Sequence, residues 1–337
     1  MKRRRIRASI PGMQHEDERV SDTEPPAPPL NIFFVLDGLG LEKKALILAA
    51  SLHHQFRDRP EVRRIAYVPE SWLQQISPIS RIILMRCGAE IRVLPPPGRL
   101  WKREYPHGNK IIACADRRDG EIGLFLDTDT ICVGPLDLLT TLRHDEVGLV
   151  PEGIPSWGKN GDRWERAYAH FGLPVPEERI RLMRRRRREF LPYFNAGVVA
   201  FHERPTLHGQ TFGELWRTTA SDFDHNCAVG NKRPWLDQIT LPLTLHRFNL
   251  KYLLLPEEYN FSISKRAPTN EGETAPSIIH YHKTIYLEKW PWWPIAFGWL
   301  SEHVAKAERA AVATLMADSS FGSPSDLENL LAGKPQC

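Results

Sequence analysis

From residue 31 onward the chain repeats one rhythm: a short apolar run, a polar or proline-bearing turn, then an amphipathic stretch. Few architectures accommodate it. Residues 31–36 (Asn-Ile-Phe-Phe-Val-Leu) read as a strand buried on both faces and closed by Asp37-Gly38. Leu41, Ala45, Leu48, Ala49, Leu52 and Phe56 then recur at helical spacing, with Glu42, Lys43 and Lys44 expected to point outward. The unit returns at residues 65–68, stopped by Pro69, with a helical piece over 79–86, and again at 91–94, stopped by three prolines. Residues 109–115 read as a helix that delivers the chain to a fourth strand over 123–126. Strands alternating with helices predict right-handed crossovers and a mostly parallel sheet flanked by helices.

That fourth strand runs directly into Asp127-Thr128-Asp129, and Gly134-Pro135 ends the stretch. Residues two apart on a strand share a face, roughly 7 Å apart. Asp127 and Asp129 can therefore close on one hard cation while Thr128 faces away. An isolated Asp-x-Asp is more often two solvated carboxylates in a turn. Here the pair stands at the carboxyl end of a buried strand, where open α/β sheets gather their ligands.

Beyond it, 136–142 reads as a helix and 147–150 as a strand. Residues 151–191 are looser, with a helical stripe at Trp164, Ala167, Tyr168 and Phe171, and form an insertion suited to acceptor selection or to a structural lid. The strand at 194–201 is interrupted by Asn195 and Gly197, a pattern that marks close approach of a ligand or another backbone. Helices are expected at 212–219 and 235–245, the second carrying Asp237-Gln238, and strands at 252–255 and 277–280. The aromatic run 290–299 reads as a cap packed on the body in preference to a membrane-interface anchor. An Ala-rich helix over 302–316 and a loose tail beyond Ser319 complete the chain, which has no internal repeat.

Composition narrows the function. The 337 residues can bury a full core, and no run approaches the length needed to cross a bilayer. The basic start, residues 1–7, lacks the apolar region of a secretory signal, and residues 1–30 as a whole read as a disordered basic and proline-rich arm. Cys87, Cys114, Cys132, Cys227 and Cys337 are scattered and never in a Cys-x-x-Cys pair. They read as reduced thiols of a cytoplasmic protein, not a disulfide frame or a zinc site. The net charge of +4 is mild, but arginine clusters at Arg181 and over residues 184–188. That cluster is a solvated helix face, a site for an anionic acceptor, or a peripheral contact with acidic lipid. No nucleic-acid-binding signature accompanies it, so no nucleic-acid partner is expected.

Taken together, five motifs in order resemble those of nucleotide-sugar glycosyltransferases of the GT-A fold. They are the opening strand with its 45–52 helix, Phe125-Leu126-Asp127-Thr128-Asp129, Phe194-Asn195-Ala196-Gly197-Val198, Asp237-Gln238, and Ile279-His280-Tyr281. The likeness is greatest to the retaining group that includes glycogenin and the bacterial lipopolysaccharide galactosyl- and glucosyltransferases, and it covers roughly residues 31–290. Residues 291–320 would then be a C-terminal cap and acceptor-side extension, and 321–337 the tail. The resemblance implies a Rossmann-like α/β domain, Mn2+ or Mg2+ held by Asp127, Asp129 and His280, and a nucleoside-diphosphate sugar, by family habit UDP-linked, as donor. Asp37, Gly38, Lys110, Thr128 and Gly197 would contact that donor. Asn195, Asp237 and Gln238 would surround the reacting carbon, with retention of configuration. The acceptor is a glycan, a lipid-linked group or a protein.

Two departures leave alternatives open. His280 is followed by Tyr281-His282-Lys283 where the family has Gly and then Lys-Pro-Trp, so His282 rivals His280, and the pyrophosphate lysine is Lys283 or Lys289. A phosphohydrolase of the haloacid-dehalogenase type also carries an apolar strand followed by Asp-x-Asp-x-Thr, although that motif usually opens its domain. A non-catalytic nucleotide-sugar-binding relic of the same fold is the third reading.

Overall fold

The computed structural model describes residues 30–184, 188–268, 275–317 and 321–333. The expected N-terminal arm, apart from Leu30, lies outside them, as do residues 185–187 of the arginine run. The chain opens with β1 (Leu30–Val35), α1 (Leu39–Phe56), β2 (Val62–Pro69), α2 (Glu70–Leu73), α3 (Pro78–Arg86) and β3 (Ala89–Leu94). It continues through α4 (Asn109–Cys114), β4 (Ile122–Leu126), β5 (Thr130–Cys132), β6 (Glu146–Pro151), α5 (Arg163–His170), β7 (Ile180–Arg181), β8 (Glu189–Phe190) and β9 (Phe194–His202). Then follow α6 (Phe212–Asn226), α7 (Leu236–Arg247), β10 (Lys251–Leu254), β11 (Phe261–Ser262), β12 (Ile278–His280), α8 (Thr284–Leu287), α9 (Trp292–Ser301), α10 (Arg309–Met316) and α11 (Pro324–Leu331).

Among the described residues, seven strands form the central sheet in the order β10-β6-β9-β4-β1-β2-β3, and β9 alone runs against the rest. This is the mostly parallel α/β sheet expected of the GT-A fold. Its strands alternate between two cores. Ile32, Phe34 and Leu36 face one layer with α1, α3 and α9. Phe33 and Val35 face the other with α4, α6 and α7. The period of two in β1 thus feeds both layers, which is why the run reads as continuously apolar.

Several expectations are corrected. Glu42 and Lys43 are buried, not outward. The C-terminal helices pack on that side of α1, so Lys43 Nζ donates to the Ala317 carbonyl at 3.1 Å and Glu42 accepts from the Ser77 amide at 3.0 Å. The 136–142 segment is a short 3₁₀ turn, Asp137–Thr141. The Ala-rich helix expected over 302–316 starts late, as α10 over Arg309–Met316. α9 ends at Ser301, and the chain restarts where Glu308 accepts the Ala305 amide at 2.8 Å. The segment read as a loose tail contains α11, started by Ser323 and Pro324, with Leu327, Leu330 and Leu331 buried. The aromatic run forms most of α9, and Trp293, Ala296 and Phe297 bury into the body, which agrees with a packed cap. The described ends of the arginine run lie between β7 and β8, an antiparallel hairpin, and not on a helix face.

Candidate active site

The carboxyl end of β4 does not continue as a strand through the acidic pair. Asp127–Asp129 form a tight turn in which the Asp127 carbonyl accepts the Thr130 amide at 3.1 Å and the Thr130 hydroxyl at 2.7 Å. Strand alternation therefore does not hold across the acidic pair, and the turn, not a shared strand face, sets the directions of the two carboxylates. β5 leaves this turn and pairs antiparallel with β12, placing His280 opposite Thr130. The Tyr281 amide then donates to the Asp129 carbonyl at 3.0 Å. Backbone pairing alone brings together residues 151 positions apart in sequence.

His280 Nε2 lies 3.0 Å from Asp129 Oδ1, and Lys44 Nζ lies 3.4 Å from Asp129 Oδ2. Lys44 also donates to the His282 carbonyl at 3.2 Å. The His280 and His282 rings stack with centroids 3.9 Å apart. The ligand atoms of Asp129, His280 and His282 all fall within 4.8 Å of one another. Asp127 turns instead to Lys110, whose Nζ is 2.8 Å from Oδ1. Lys110 also pairs with Asp237 Oδ2 at 3.1 Å and donates to the Ala196 carbonyl at 3.2 Å.

β9 lies beside β4, so its first residues flank the turn. The Asp127 amide donates to the Gly197 carbonyl at 2.8 Å. A Cβ on Gly197 would lie 2.7 Å from His280 Cε1 and 2.8 Å from both Asn195 Oδ1 and Asp127 Oδ2. Asp127 and His280 therefore converge over this glycine, though Asp127 stands outside the tighter Asp129, His280 and His282 group.

A directed hydrogen-bond chain orients the histidine. His280 Nδ1–H donates to Asn260 Oδ1 at 2.9 Å, Asn260 Nδ2 donates to Asn195 Oδ1 at 2.9 Å, and Asn195 Nδ2 donates to Glu152 Oε2 at 3.0 Å. Gln238 Nε2 reaches the same Glu152 oxygen at 2.7 Å, while its carbonyl accepts from the Tyr193 hydroxyl at 2.9 Å. Asp237 accepts from the Tyr105 hydroxyl at 3.0 Å. Asp237 and Gln238 thus stand one layer back, fixing Lys110 and Glu152.

Two clefts meet at this cluster. One, of about 290 Å³, is lined by Asp37, Asn109, Lys110, Asp127, Thr128 and Asp129 among others. Asn109 Nδ2 donates to Asp37 at 2.9 Å, and Gly38, at φ 89°, turns the chain into α1 beside it. The other, of about 670 Å³, has His280, His282, Asn195, Glu152, Asn260 and Arg184 on its walls. Lys283 and Lys289 are exposed and line neither cleft. Among the described residues, the lysines that reach the acidic turn are Lys44 and Lys110.

The electrostatics follow from this packing. Burial opposes the charge on Asp129, but the His280 imidazole and Lys44 outweigh it and hold the carboxyl well below its usual range. Burial likewise opposes a charged His280, and Asp129 reverses that, raising its pKa. His282 is pushed down to about 3 by burial and by its stacked neighbour, so it presents a neutral imidazole. Burial raises the Asp37 pKa. Lys110 is also buried, yet Asp127 and Asp237 raise its pKa and keep it cationic.

The donor set suits a divalent ion. Asn260 occupies Nδ1 of His280 and leaves Nε2 for the ligand position. Ser262 Oγ engages Nε2 of His282 at 2.8 Å and leaves Nδ1. Sequence reasoning missed Lys44, Glu152 and Asn260. Lys44 carried no signal because it sits on a helix whose partners arrive from the C-terminal third of the chain.

A family model described as Rhodobacterales glycosyltransferase domain matches residues 32–249. No curated protein matches the chain. Among solved structures, the galactosyltransferase LgtC in complex with donor and acceptor sugar analogs is 16% identical, with 74% of this chain and 86% of that one covered and a TM-score of 0.49. Mouse xyloside xylosyltransferase 1, apo form, is 12% identical over 75% of this chain and 97% of that one, with a TM-score of 0.45. GlyE from Streptococcus pneumoniae TIGR4 is 18% identical over 71% and 48%, with a TM-score of 0.41.

Proposed function

The chain belongs to the Rhodobacterales glycosyltransferase domain family, and from that premise we propose that it transfers a sugar from a nucleoside diphosphate to an acceptor with the help of a divalent metal ion. The observation that carries this reading is the convergence of Asp129, His280 and His282 at the junction of two clefts. Asp127, Asp129 and His280 would hold Mn2+ or Mg2+, and His282 adds a fourth donor in reach. A bound ion supplies Lewis-acid stabilisation of the charge that develops on the departing diphosphate.

The protein's own groups divide the remaining work. In the smaller cleft Asp37, Gly38 and Asn109 would receive the ribose and base, and Thr128 lines its wall. Lys110 and Lys44, already cations beside the acidic turn, would neutralise diphosphate oxygens as negative charge accumulates. Gly197 lets Asp127, Asn195 and His280 draw together, since a side chain there would collide with all three, and Asn195 offers the donor sugar polar contact from the larger cleft. Asp237 and Gln238 would contribute by holding Lys110 and Glu152 in place, since geometry fixed before the reaction lowers its barrier. Attack from the face that the diphosphate leaves, hence retention, is part of this reading and is checked by the anomeric configuration of the product. A UDP-sugar is the first donor to test, and the buried, unpaired Cys87, Cys114, Cys132 and Cys227 suit a reducing compartment such as the cytoplasm.

The decisive experiment is donor hydrolysis and thermal shift over a nucleotide-sugar panel with and without Mn2+. At least one nucleoside diphosphate is expected to stabilise the protein in the presence of Mn2+ only. Asp129→Asn is expected to lower Mn2+-dependent turnover about 100-fold or more, the scale of losing a main transition-state electrostatic group. Failure of every nucleoside diphosphate to bind under any metal would overturn the proposal.

A further inference from the structure

The larger cleft contains a cation that the reaction described above does not use. Arg184 leaves the β7–β8 hairpin with its backbone amide bonded to the Gly153 carbonyl at 2.9 Å and its side-chain stem against Gly153. Its Nη2 donates to Ser262 twice, to the carbonyl at 2.8 Å and to Oγ at 2.7 Å. The same Ser262 Oγ is 2.8 Å from His282 Nε2, so the guanidinium stands one side chain away from the metal-ligand cluster.

Three contacts fix this arginine, and all are to neutral groups. Among the described residues it forms no salt bridge, and Nε and Nη1 take no partner. The carboxylates on the cleft walls are committed elsewhere: Glu257 to Arg266, and Glu152 to Asn195, Gln238 and the Gly153 amide. Lys265 and Arg266 add further positive charge to the same walls. Burial and the like charge of Arg266 lower the Arg184 pKa by more than the nearby Glu152 and Glu257 raise it, as expected of a half-buried guanidinium whose neighbouring carboxylates are bonded to other groups. A rigid guanidinium with unused N–H groups in an open cleft is suited to a carboxylate or phosphate, which it can grip through two parallel hydrogen bonds.

We propose that the sugar substrate occupying the larger cleft carries an anionic group, a carboxylate or a phosphate, and that Arg184 is the specificity-determining residue that binds it. This rests on the glycosyltransfer reading and adds the substrate class. The anion can belong to the acceptor or to the donor sugar, and both sources present the same chemistry to Arg184. The selectivity arises because a neutral substrate would leave the half-buried guanidinium with no anion bonded to its free N–H groups, whereas an anionic one satisfies them.

The test uses the full chain with Mn2+ and compares matched probes by calorimetry. For the acceptor, glucose, glucose 6-phosphate and glucuronate are titrated into protein loaded with UDP. For the donor, UDP-glucose is compared with UDP-glucuronate. In one of the two series a charged probe is expected to bind about 10-fold or more tighter than its neutral counterpart, the scale of one charge-assisted hydrogen-bonded pair. Arg184→Gln should bring that ratio close to one, while Arg184→Lys, which keeps the charge and loses the fork, should retain part of it. The series that responds identifies the source. Equal ratios in the parent and in Arg184→Gln, or no preference for charge in either series, overturn the proposal while UDP binding still stands. If UDP does not bind, the series are run with the nucleoside diphosphate that does; failure of every nucleoside diphosphate to bind overturns the glycosyltransfer reading, and this proposal with it.

Discussion

At the scale of single residues, Gly197 shows how closely the site is built. Its missing side chain leaves the space into which Asp127, Asn195 and His280 project, and none of the three is a freely yielding chain end. Asn195 is held by Glu152 and Asn260, and Asp127 by Lys110. Gly197→Ala is therefore expected to reduce Mn2+ affinity and turnover about 10- to 100-fold, as loss of ligand orientation does, with little change in far-ultraviolet circular dichroism. Asn260 acts on the same histidine through its other nitrogen. Asn260→Ala would leave His280 free to change tautomer, and a fall in Mn2+ affinity of similar size, read by paramagnetic resonance, is expected. Asn260→Asp, which still accepts from Nδ1–H, should keep much of the affinity. Asp127, Asp129, Asn195 and Gly197 stood out as candidates in the sequence because each lies at a strand end or interrupts an apolar run, and His280 through the resemblance; the structure brings the five together. Asn260 did not stand out in the sequence, because it lies in a short 3₁₀ turn before β11 with no periodic context.

Among the elements, the crossing of α4 and α6 matters because α4 carries Asn109 and Lys110 to the smaller cleft. The two helices touch where Gly213 meets the end of α4: an added Cβ would lie 1.9 Å from the Cys114 carbonyl oxygen. Backbone cannot give way as a flexible side chain can. Gly213→Ala is expected to destabilise the protein by about 1–3 kcal/mol or more through forced separation of the helices, measured by urea unfolding. The start of α6 is itself secure. Thr211 Oγ1 accepts the Glu214 amide at 3.3 Å and Glu214 accepts the Thr211 amide at 2.9 Å, a reciprocal cap. At the opposite end of the sheet, Arg118 and Glu203 form a fully buried pair, with Nε to Oε1 at 2.6 Å and Nη2 to Oε2 at 3.0 Å. Removing one partner strands the other, so Glu203→Ala should cost about 3–5 kcal/mol, seen as a fall in the urea midpoint without loss of Mn2+ binding in the folded fraction.

For the whole molecule, the acidic turn and β12 are joined late in the chain. β5 lies beside the Asp127–Asp129 turn, whereas β12 begins almost 150 residues later and α9–α11 cover α1 after it. An ion bound by Asp129 and His280 therefore ties the early part of the chain to the late one and favours only the folded form. Saturating Mn2+ is expected to raise the unfolding free energy by about 2.7 kcal/mol at a hundred times its dissociation constant. The gain should vanish on adding EDTA and be absent in Asp129→Asn. An equal response in that variant would place the ion elsewhere. No helix of the described residues is long and apolar enough to cross a membrane.

The amino-acid order alone determined the strands that are buried on both faces, because Ile32 to Leu36, Leu124 to Leu126 and Val198 to Phe201 are apolar at every position and so name their environment without a partner. It also determined that the polar interruptions at Asp37, Asp127, Asp129, Asn195 and Gly197 fall at the ends of those strands. Only the tertiary structure decided which cations answer the carboxylates. Lys44 and Lys43 are adjacent and chemically alike, yet one reaches Asp129 and the other is buried against Ala317, because α1 is covered from two sides by elements far along the chain. It likewise decided that Arg184 faces a cleft beside the histidines, where local pattern left a solvated helix face as one reading. Local periodicity reports whether a position is buried, whereas the identity of a charged residue's partner depends on non-local pairing such as β5 with β12, which no window of sequence contains.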